Sequence, residues 1–204
     1  MVELRLERRK VYDGLLRAVH AVIGLSVVGL GATALFAETL EKGPARRAVW
    51  EAHALTGYVL AAALVVRVIW GLVGPRSARW SDLWHPRAWL QILRGRWPRS
   101  EGFGHDVAAS GAYLVVYALL ALMVLSGLAL AGLELGMGPL AAWLFDRVWL
   151  EELFEEPHEV GALLIAAFTV LHVGALIWHE WRERRPVAQA MVSGYQYRVI
   201  SRER

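Results

Sequence analysis

The chain has 204 residues, of which 56% are hydrophobic and 20% charged, with ten Trp and no Cys. The lack of Cys excludes disulfides, zinc–thiolate and iron–sulfur sites, and covalent c-type haem attachment. The net charge of +3 would allow a nucleic-acid-binding protein. The charges, however, lie in short blocks between long uncharged stretches, and we therefore expect no nucleic-acid partner.

Four of these stretches set the class of the protein, because about 20 mostly apolar residues suffice for a membrane-spanning helix. They predict an all-α integral membrane protein, a four-transmembrane-helix bundle that forms a single domain over residues 1–204. The predicted spans are residues 15–37, 49–73, 107–133 and 158–181. A tail over residues 182–204 follows the last span.

The basic residues predict the orientation of the bundle. The segment up to the start of the first span, the connection between spans two and three, and the tail carry 17 of the 22 Lys and Arg residues. The other two connections carry four, and Arg67 lies inside a span. Since cytoplasmic loops are enriched in Lys and Arg, we expect membrane lipid around the spans and both termini in the cytoplasm.

Two connections are predicted to hold short helices at the membrane surface. Residues 80–97 mix four Trp with leucines and arginines, which is typical of an interfacial helix. On the outer side, residues 139–156 read as a short amphipathic helix. The outer region from Glu134 to Glu159 carries seven carboxylates against one arginine, which indicates either a solvated face or a docking surface for a basic partner.

Four of the seven histidines lie in or at the ends of the spans: His20, His53, His158 and His172. An ionisable side chain in a membrane helix is costly and usually marks a function. The 14 residues between His158 and His172 correspond to about 21 Å of helix. With alternating helix directions, His53 falls at the depth of His158 near the outer surface, and His20 at the depth of His172.

Two His–His pairs from facing helices are what two six-coordinate haem irons require. Zinc would need three or four ligands at one level. We therefore predict two non-covalent haem groups, with His53 and His158 as axial ligands of the outer haem iron and His20 and His172 of the inner one. Because both axial positions are filled by the protein, such a site transfers electrons.

Two arginines are candidate partners of the inner haem propionates. Arg17 lies three residues before His20 on the same helix face, and Arg67 lies 14 residues after His53. The alternative is that each guanidinium reaches the inner headgroups. Arg46 and Arg47 are weaker candidates for the outer propionates.

The other histidines are ambiguous. His179 could accept protons near a quinone or be a plain interfacial residue. His85 reads as structural. His105 has no intramembrane partner at its depth.

Several motifs together make the chain resemble the bacterial cytochrome b561 family, including the cytochrome b subunits of membrane-bound nickel–iron hydrogenases. They are VYDGLLRAVH at 11–20, HALTGY at 53–58, RVIWGLVGP at 67–75, RSARWSD at 76–82, GHD at 104–106, HE at 158–159, LHVG at 171–174 and AMVSG at 190–194. The chain departs from the usual pattern at Ala21, where Trp is common, and at Asp106 and Val107, where Asn-Pro is common.

The resemblance implies a four-helix bundle with two b haems on His20, His53, His158 and His172. It implies electron transfer across the bacterial inner membrane between a periplasmic redox protein, a Ni,Fe-hydrogenase or a c-type cytochrome, and the quinone pool. A homodimer and a quinone reductase or quinol oxidase activity are open possibilities. The alternatives are a haem-free proton-relay transporter and a membrane anchor whose histidines bond neighbouring helices.

Overall fold

The computed structural model describes residues 3–96, 107–183 and 187–202. Four long helices dominate, each long and apolar enough to cross a membrane. They are α1 (Gly14–Glu38), α2 (Pro44–Val73), α4 (Val107–Glu134) and α6 (Glu151–Glu183). The shorter elements are β1 (Glu3–Lys10), α3 (Pro86–Leu93), α5 (Ala141–Leu144), α7 (Val187–Ser193) and β2 (Tyr195–Arg202). Three 3-10 turns lie at Arg76–Ala78, Trp80–Asp82 and Val148–Leu150.

The four spans agree with the predicted ones, but two of them begin earlier than expected. α2 begins at Pro44 because proline is well suited to the first position of a helix, where its missing N–H costs nothing. α6 begins at Glu151 rather than at residue 158 and continues through Pro157. Glu151 and Glu152 occupy its first turn, where carboxylates interact favourably with the helix dipole.

The two predicted surface helices are present in shorter form. In the segment 80–97, α3 covers Pro86–Leu93 and begins with proline at its first position. In the segment 139–156, α5 is a single turn followed by the 3-10 turn at Val148–Leu150, and residues 151–156 belong to α6. The exposed aromatic side chains of Trp143, Phe145 and Trp149 in this connection suit a membrane–water boundary.

The chain divides into two compact units, and the first combines Val19–Arg67 with Val116–Thr169. Its centre is an apolar cluster of Leu60, Leu64, Leu120 and Ile165, against which side chains of α1 also pack. All four long helices therefore contribute to one core. Many large apolar side chains on the outside of these helices are exposed, as expected for helix faces that contact lipid.

The second unit combines Met1–Ala18, Val68–Val115 and Val170–Arg204. It contains the one element type that the all-α prediction missed, a two-stranded antiparallel sheet of β1 and β2 that pairs Glu3 with Arg202 and Lys10 with Tyr195. The guanidinium of Arg8 lies 3.8 Å from the centre of the Tyr195 ring. Within residues 182–204, the predicted tail, α7 and β2 are regular elements.

Asp13 and Gly194 join this sheet to the first helix. Asp13 caps α1, because its Oδ1 accepts hydrogen bonds from the Leu16 N–H and the Trp70 indole N–H, each at 3.0 Å. The carbonyl of Gly194 accepts the N–H of Val11 at 2.8 Å. Gly194 has a φ of +84°, and a Cβ atom there would lie 2.7 Å from the Tyr12 carbonyl oxygen. This turn therefore requires glycine.

Tyr12 lies beside this turn in a polar but enclosed environment. Burial raises its pKa to about 12, and the nearby Tyr113 and Asp82 add to the effect. Because the pKa in the folded state exceeds the ordinary value of 10.0, the neutral phenol favours the folded state. This contribution is complete below pH 10 and is lost as the pH rises toward 12.

We predict that Gly194→Ala loosens the junction between the sheet and α1. A non-glycine residue at this φ costs about 1–3 kcal/mol, and the added methyl group would contact the Tyr12 carbonyl. Hydrogen exchange of the β1 and β2 amides should accelerate in the detergent-purified variant. Gly174→Ala is the matched control, since a Cβ atom at Gly174 meets open space. Equal protection in both variants would contradict the role assigned to Gly194.

Candidate haem site

His53 of α2 and His158 of α6 lie side by side in the first unit. Their ring centres are 6.5 Å apart, and the ring planes are inclined by 68°. Both side chains are half-buried. The structure thus brings together the two histidines that the depth argument assigned to one pair.

Each of these imidazoles is bonded through its Nδ1 atom to a hydroxyl group on a neighbouring helix. The Nδ1 of His53 lies 3.0 Å from the Oγ1 of Thr33 in α1. The Nδ1 of His158 lies 2.8 Å from the Oγ of Ser126 in α4. The Nε2 atom of each ring is therefore the one available to bind a metal ion.

The separation of the two rings fits one iron atom between them. A metal–imidazole bond of about 2 Å on each side, with roughly 1 Å more from each nitrogen to its ring centre, requires about 6 Å in total. The observed 6.5 Å matches that distance. Among the described residues, no group of three or more His, Cys, Asp or Glu side chains could hold a metal ion.

Neighbouring residues fix the surroundings of the two rings. Gly127 follows Ser126 in α4, and a Cβ atom at this position would lie 3.1 Å from the Cε1 atom of His158. The lack of a side chain at Gly127 therefore leaves space for the His158 ring. The indole of Trp50 makes an edge contact with the His53 ring, with 5.4 Å between ring centres. The ring positions are thus set by packing as well as by hydrogen bonds.

The second predicted pair is divided between the two units. His20 lies in the unit that contains His53 and His158, whereas His172 lies in the unit that contains the sheet. The ring of Tyr113 makes an edge contact with that of His172 at 6.4 Å. The pairing of His20 with His172 stays a prediction.

Arg67 is almost completely buried, with 2% of its surface exposed. Its Nε–H donates to the hydroxyl of Tyr117 at 3.0 Å, and the guanidinium carbon lies 5.1 Å from the centre of the Tyr117 ring. The side chain is therefore enclosed by the protein instead of extending to the headgroups. This is the environment that an anchor for an anionic group requires.

The other candidate arginines have protein partners. Arg17 donates to the backbone carbonyls of Met191 and Val192 near the end of α7, so at least part of its function is to hold the C-terminal segment. Arg46 pairs with Glu38 at 2.7 Å, and Arg47 pairs with Glu51 at 2.9 Å. The proposed contacts of these three arginines with haem propionates stay predictions.

Three histidines, His85, His105 and His179, belong to neither predicted pair. His85 directly precedes α3, and its backbone carbonyl accepts the N–H groups of Ala88 and Trp89, which agrees with a structural role. His179 is exposed near the end of α6. His105 lies outside the described residues.

The outer acidic region surrounds a depression at the end of α4. This cavity has a volume of about 320 Å³ and is lined by Leu133, Glu134, Phe145, Asp146 and Glu151. The carboxylates on α6 that follow Glu151, namely Glu152, Glu155, Glu156 and Glu159, are exposed. The surface is consistent with both the solvated-face and the docking interpretation.

Thr33, Ser126 and Gly127 are the site residues that the sequence analysis missed. A hydroxyl or a glycine in an apolar helix has common structural explanations, which include bonding to its own backbone and close helix packing. Their depth in the membrane could have indicated them, since Thr33 and Ser126 belong to the predicted outer halves of their spans, where His53 and His158 also lie.

Comparison with known proteins identifies the family of the chain. Residues 11–194 match the family described as "Prokaryotic cytochrome b561". The chain is 29% identical to the "Probable Ni/Fe-hydrogenase B-type cytochrome subunit" of Azotobacter chroococcum mcd 1, over 91% of this chain and 87% of that protein. Its namesake in Azotobacter vinelandii shows the same identity and coverage.

The protein of the same name from Cupriavidus necator is 25% identical over 91% of this chain and 86% of its own length. No solved structure matches the chain. The family match covers nearly the whole chain, and four helices of the described part can span a membrane. The chain therefore belongs to the prokaryotic cytochrome b561 family, and is a multi-pass membrane protein of the b-type cytochromes, which bind haem b and transfer electrons in the membrane.

Proposed function

We propose that this protein carries electrons across the bacterial inner membrane through two haem b groups, each held by two histidines. The observation that carries the proposal is the His53/His158 pair, whose ring separation of 6.5 Å accommodates one iron atom. His20 and His172 would hold the second group. From the helix rise, the two sites lie about 20 Å apart along the membrane normal.

The residues of each site determine what chemistry is possible there. When bound, haem supplies a one-electron redox couple. Two imidazoles on one iron leave no coordination position for oxygen or another substrate, which restricts the site to electron transfer. The apolar cluster around Leu60, Leu64 and Leu120 excludes water from the centre of the unit.

The partners follow from the relatives and from the charges on the two sides. The relatives are named as cytochrome subunits of Ni/Fe-hydrogenases, and a hydrogenase on the periplasmic side is the partner that we favour, with a c-type cytochrome as the alternative. The concentration of Lys and Arg on one side of the bundle supports cytoplasmic termini. On this basis, the quinone pool exchanges electrons near the inner site.

The proposal is tested first by a reduced-minus-oxidised absorption spectrum and haem quantification on the purified protein. We expect a b-type α band and two haems for each chain. A haem-free protein that stays colourless after reconstitution with excess haem would contradict the proposal and favour the proton-relay or anchor alternative. One haem for each chain would contradict the second site.

The pairing of the ligands makes a second prediction. His53→Ala and His158→Ala should each remove the outer haem and leave the inner one, because one imidazole cannot hold the iron in six-coordinate form. His20→Ala and His172→Ala should remove the inner haem. Haem content and the low-temperature α band of each variant measure this, with the exposed His179→Ala as control. Loss of the same haem in the His53 and His20 variants would show that the depth pairing is wrong.

A third prediction concerns Arg67 as the partner of the inner propionates. Arg67→Met removes a buried positive charge, which should lower the reduction potential of the inner haem, since a cation favours the ferrous state. A unit charge at roughly 10 Å and an effective dielectric constant of about 20 corresponds to about 1–2 kcal/mol. Potentiometric titration measures the shift. Arg67→Lys keeps the charge, and the exposed Arg147→Gln is the surface control.

An unchanged inner potential in Arg67→Met, in a protein that retains both haems, would contradict this role. A shift of equal size in the outer haem would also contradict it, because the charge would then not be specific to the inner site.

A further inference from the structure

Two hydroxyl-bearing residues occupy equivalent positions beside the two histidines of the outer pair. Thr33 of α1 contacts His53 of α2, and Ser126 of α4 contacts His158 of α6. We propose that Thr33 and Ser126 are positioning residues, which hold the two imidazoles as Nδ1–H tautomers and thereby set the affinity and the reduction potential of the outer haem site. This inference rests on the proposed function, in which His53 and His158 bind the haem iron.

The hydrogen bonds of Ser126 fix the direction of its contact with His158. Its hydroxyl lies 2.9 Å from the carbonyl oxygen of Leu122 and 3.3 Å from that of Met123. A carbonyl oxygen can only accept, so the single hydroxyl proton must point toward these carbonyls. The Oγ atom then faces the imidazole with a lone pair, and the His158 Nδ1 atom must donate the proton of the 2.8 Å bond.

Thr33 repeats this arrangement at the same sequence offsets. Its hydroxyl lies 2.8 Å from the Gly29 carbonyl oxygen and 3.0 Å from the Leu30 carbonyl oxygen, which are four and three residues earlier. By the same proton count, the His53 Nδ1 atom donates to the Thr33 Oγ1 atom at 3.0 Å. The opposite direction would leave two acceptor oxygens 2.8 Å apart with no proton between them.

The two contacts lead to the same assignment. Each imidazole meets a hydroxyl acceptor at Nδ1, which leaves the lone pair on Nε2, the atom that a metal ion would bind.

An Nδ1–H bond to an acceptor also changes the ligand electronically. It increases the electron density and basicity of the imidazole, and thus its bond to a metal ion. A more basic ligand stabilises the ferric state more than the ferrous state, so each hydroxyl acceptor lowers the reduction potential of the site. Both hydroxyls would act on the one iron that His53 and His158 would hold.

The chain itself contains hydroxyls that serve as a comparison. Thr169 donates to the Ile165 carbonyl oxygen at 2.8 Å, which is the same bond to the fourth preceding residue. This bond is to its own helix backbone, and Thr169 lies 11 residues after His158 on α6. Thr169→Val therefore removes a helix hydroxyl and its backbone bond without removing an acceptor from an outer ligand.

The experiment compares the purified wild-type protein with Thr33→Val and Ser126→Ala, which remove the acceptor and nearly preserve the volume. Thr33→Ser and Ser126→Thr keep the hydroxyl, and Thr169→Val is the control. Potentiometric titration measures both haem potentials, and transfer of haem to apomyoglobin measures haem release. We expect the outer potential to rise and the inner one to stay constant in the two hydroxyl-free variants. Outer haem release should be about 10-fold faster or more.

Unchanged outer potential and release rate in Thr33→Val and Ser126→Ala, with both haems bound, would overturn the inference and leave the proposed function intact. A wild-type protein without haem would instead overturn the proposed function. Where a hydroxyl-free variant fails to fold, redox-induced infrared difference spectra of the wild-type protein labelled with 15N-histidine report the protonation of Nδ1. Ligands that lack a hydrogen-bonded Nδ1–H in those spectra would equally overturn the inference.

Discussion

A polar side chain inside a membrane-spanning bundle cannot rely on water or lipid for hydrogen bonds, so its partners must come from its own backbone or from neighbouring helices. Three such bonds organise the unit that contains the outer histidine pair. Thr33 with His53 joins α1 to α2, Arg67 with Tyr117 joins α2 to α4, and Ser126 with His158 joins α4 to α6. Together they connect the four helices in series. Because these bonds are directional, they specify how far each helix is rotated about its own axis, which apolar contacts alone define less sharply.

Apolar packing supplies the complementary constraint, the distance between helices. Leu60 and Leu64 of α2 meet Leu120 of α4 and Ile165 of α6 in one cluster. Their volumes keep the backbones at the spacing that such side chains require, typically 8–10 Å between helix axes. Where α4 passes the His158 ring, Gly127 reduces the local bulk. The separation of 6.5 Å between the two imidazole centres is therefore the combined result of rotation and spacing.

The sequence predicted the features that depend on distance along a helix and missed those that depend on rotation or on distant pairing. The four spans follow from apolar length, and the proximity of His53 and His158 follows from helix rise and alternating direction. The hydroxyl partners Thr33 and Ser126 depend on which way each helix faces, which depth does not determine. The sheet of β1 and β2 joins the two ends of the described chain, and neither strand carries a local signal for a partner so far away.

Arg17 and Arg67 show how this limit affects the candidate site. Both were assigned to the inner propionates by helix-face arguments. Arg17 is bonded to the carbonyls of Met191 and Val192, where the negative end of the α7 dipole favours a cation. Arg67 is buried and donates to the hydroxyl of Tyr117, an acceptor that orients the guanidinium. A positive charge fixed in this way in a low-dielectric interior acts over a longer range than one in water. Of the two arginines, Arg67 is therefore the one that we propose would act on a redox group inside the bundle.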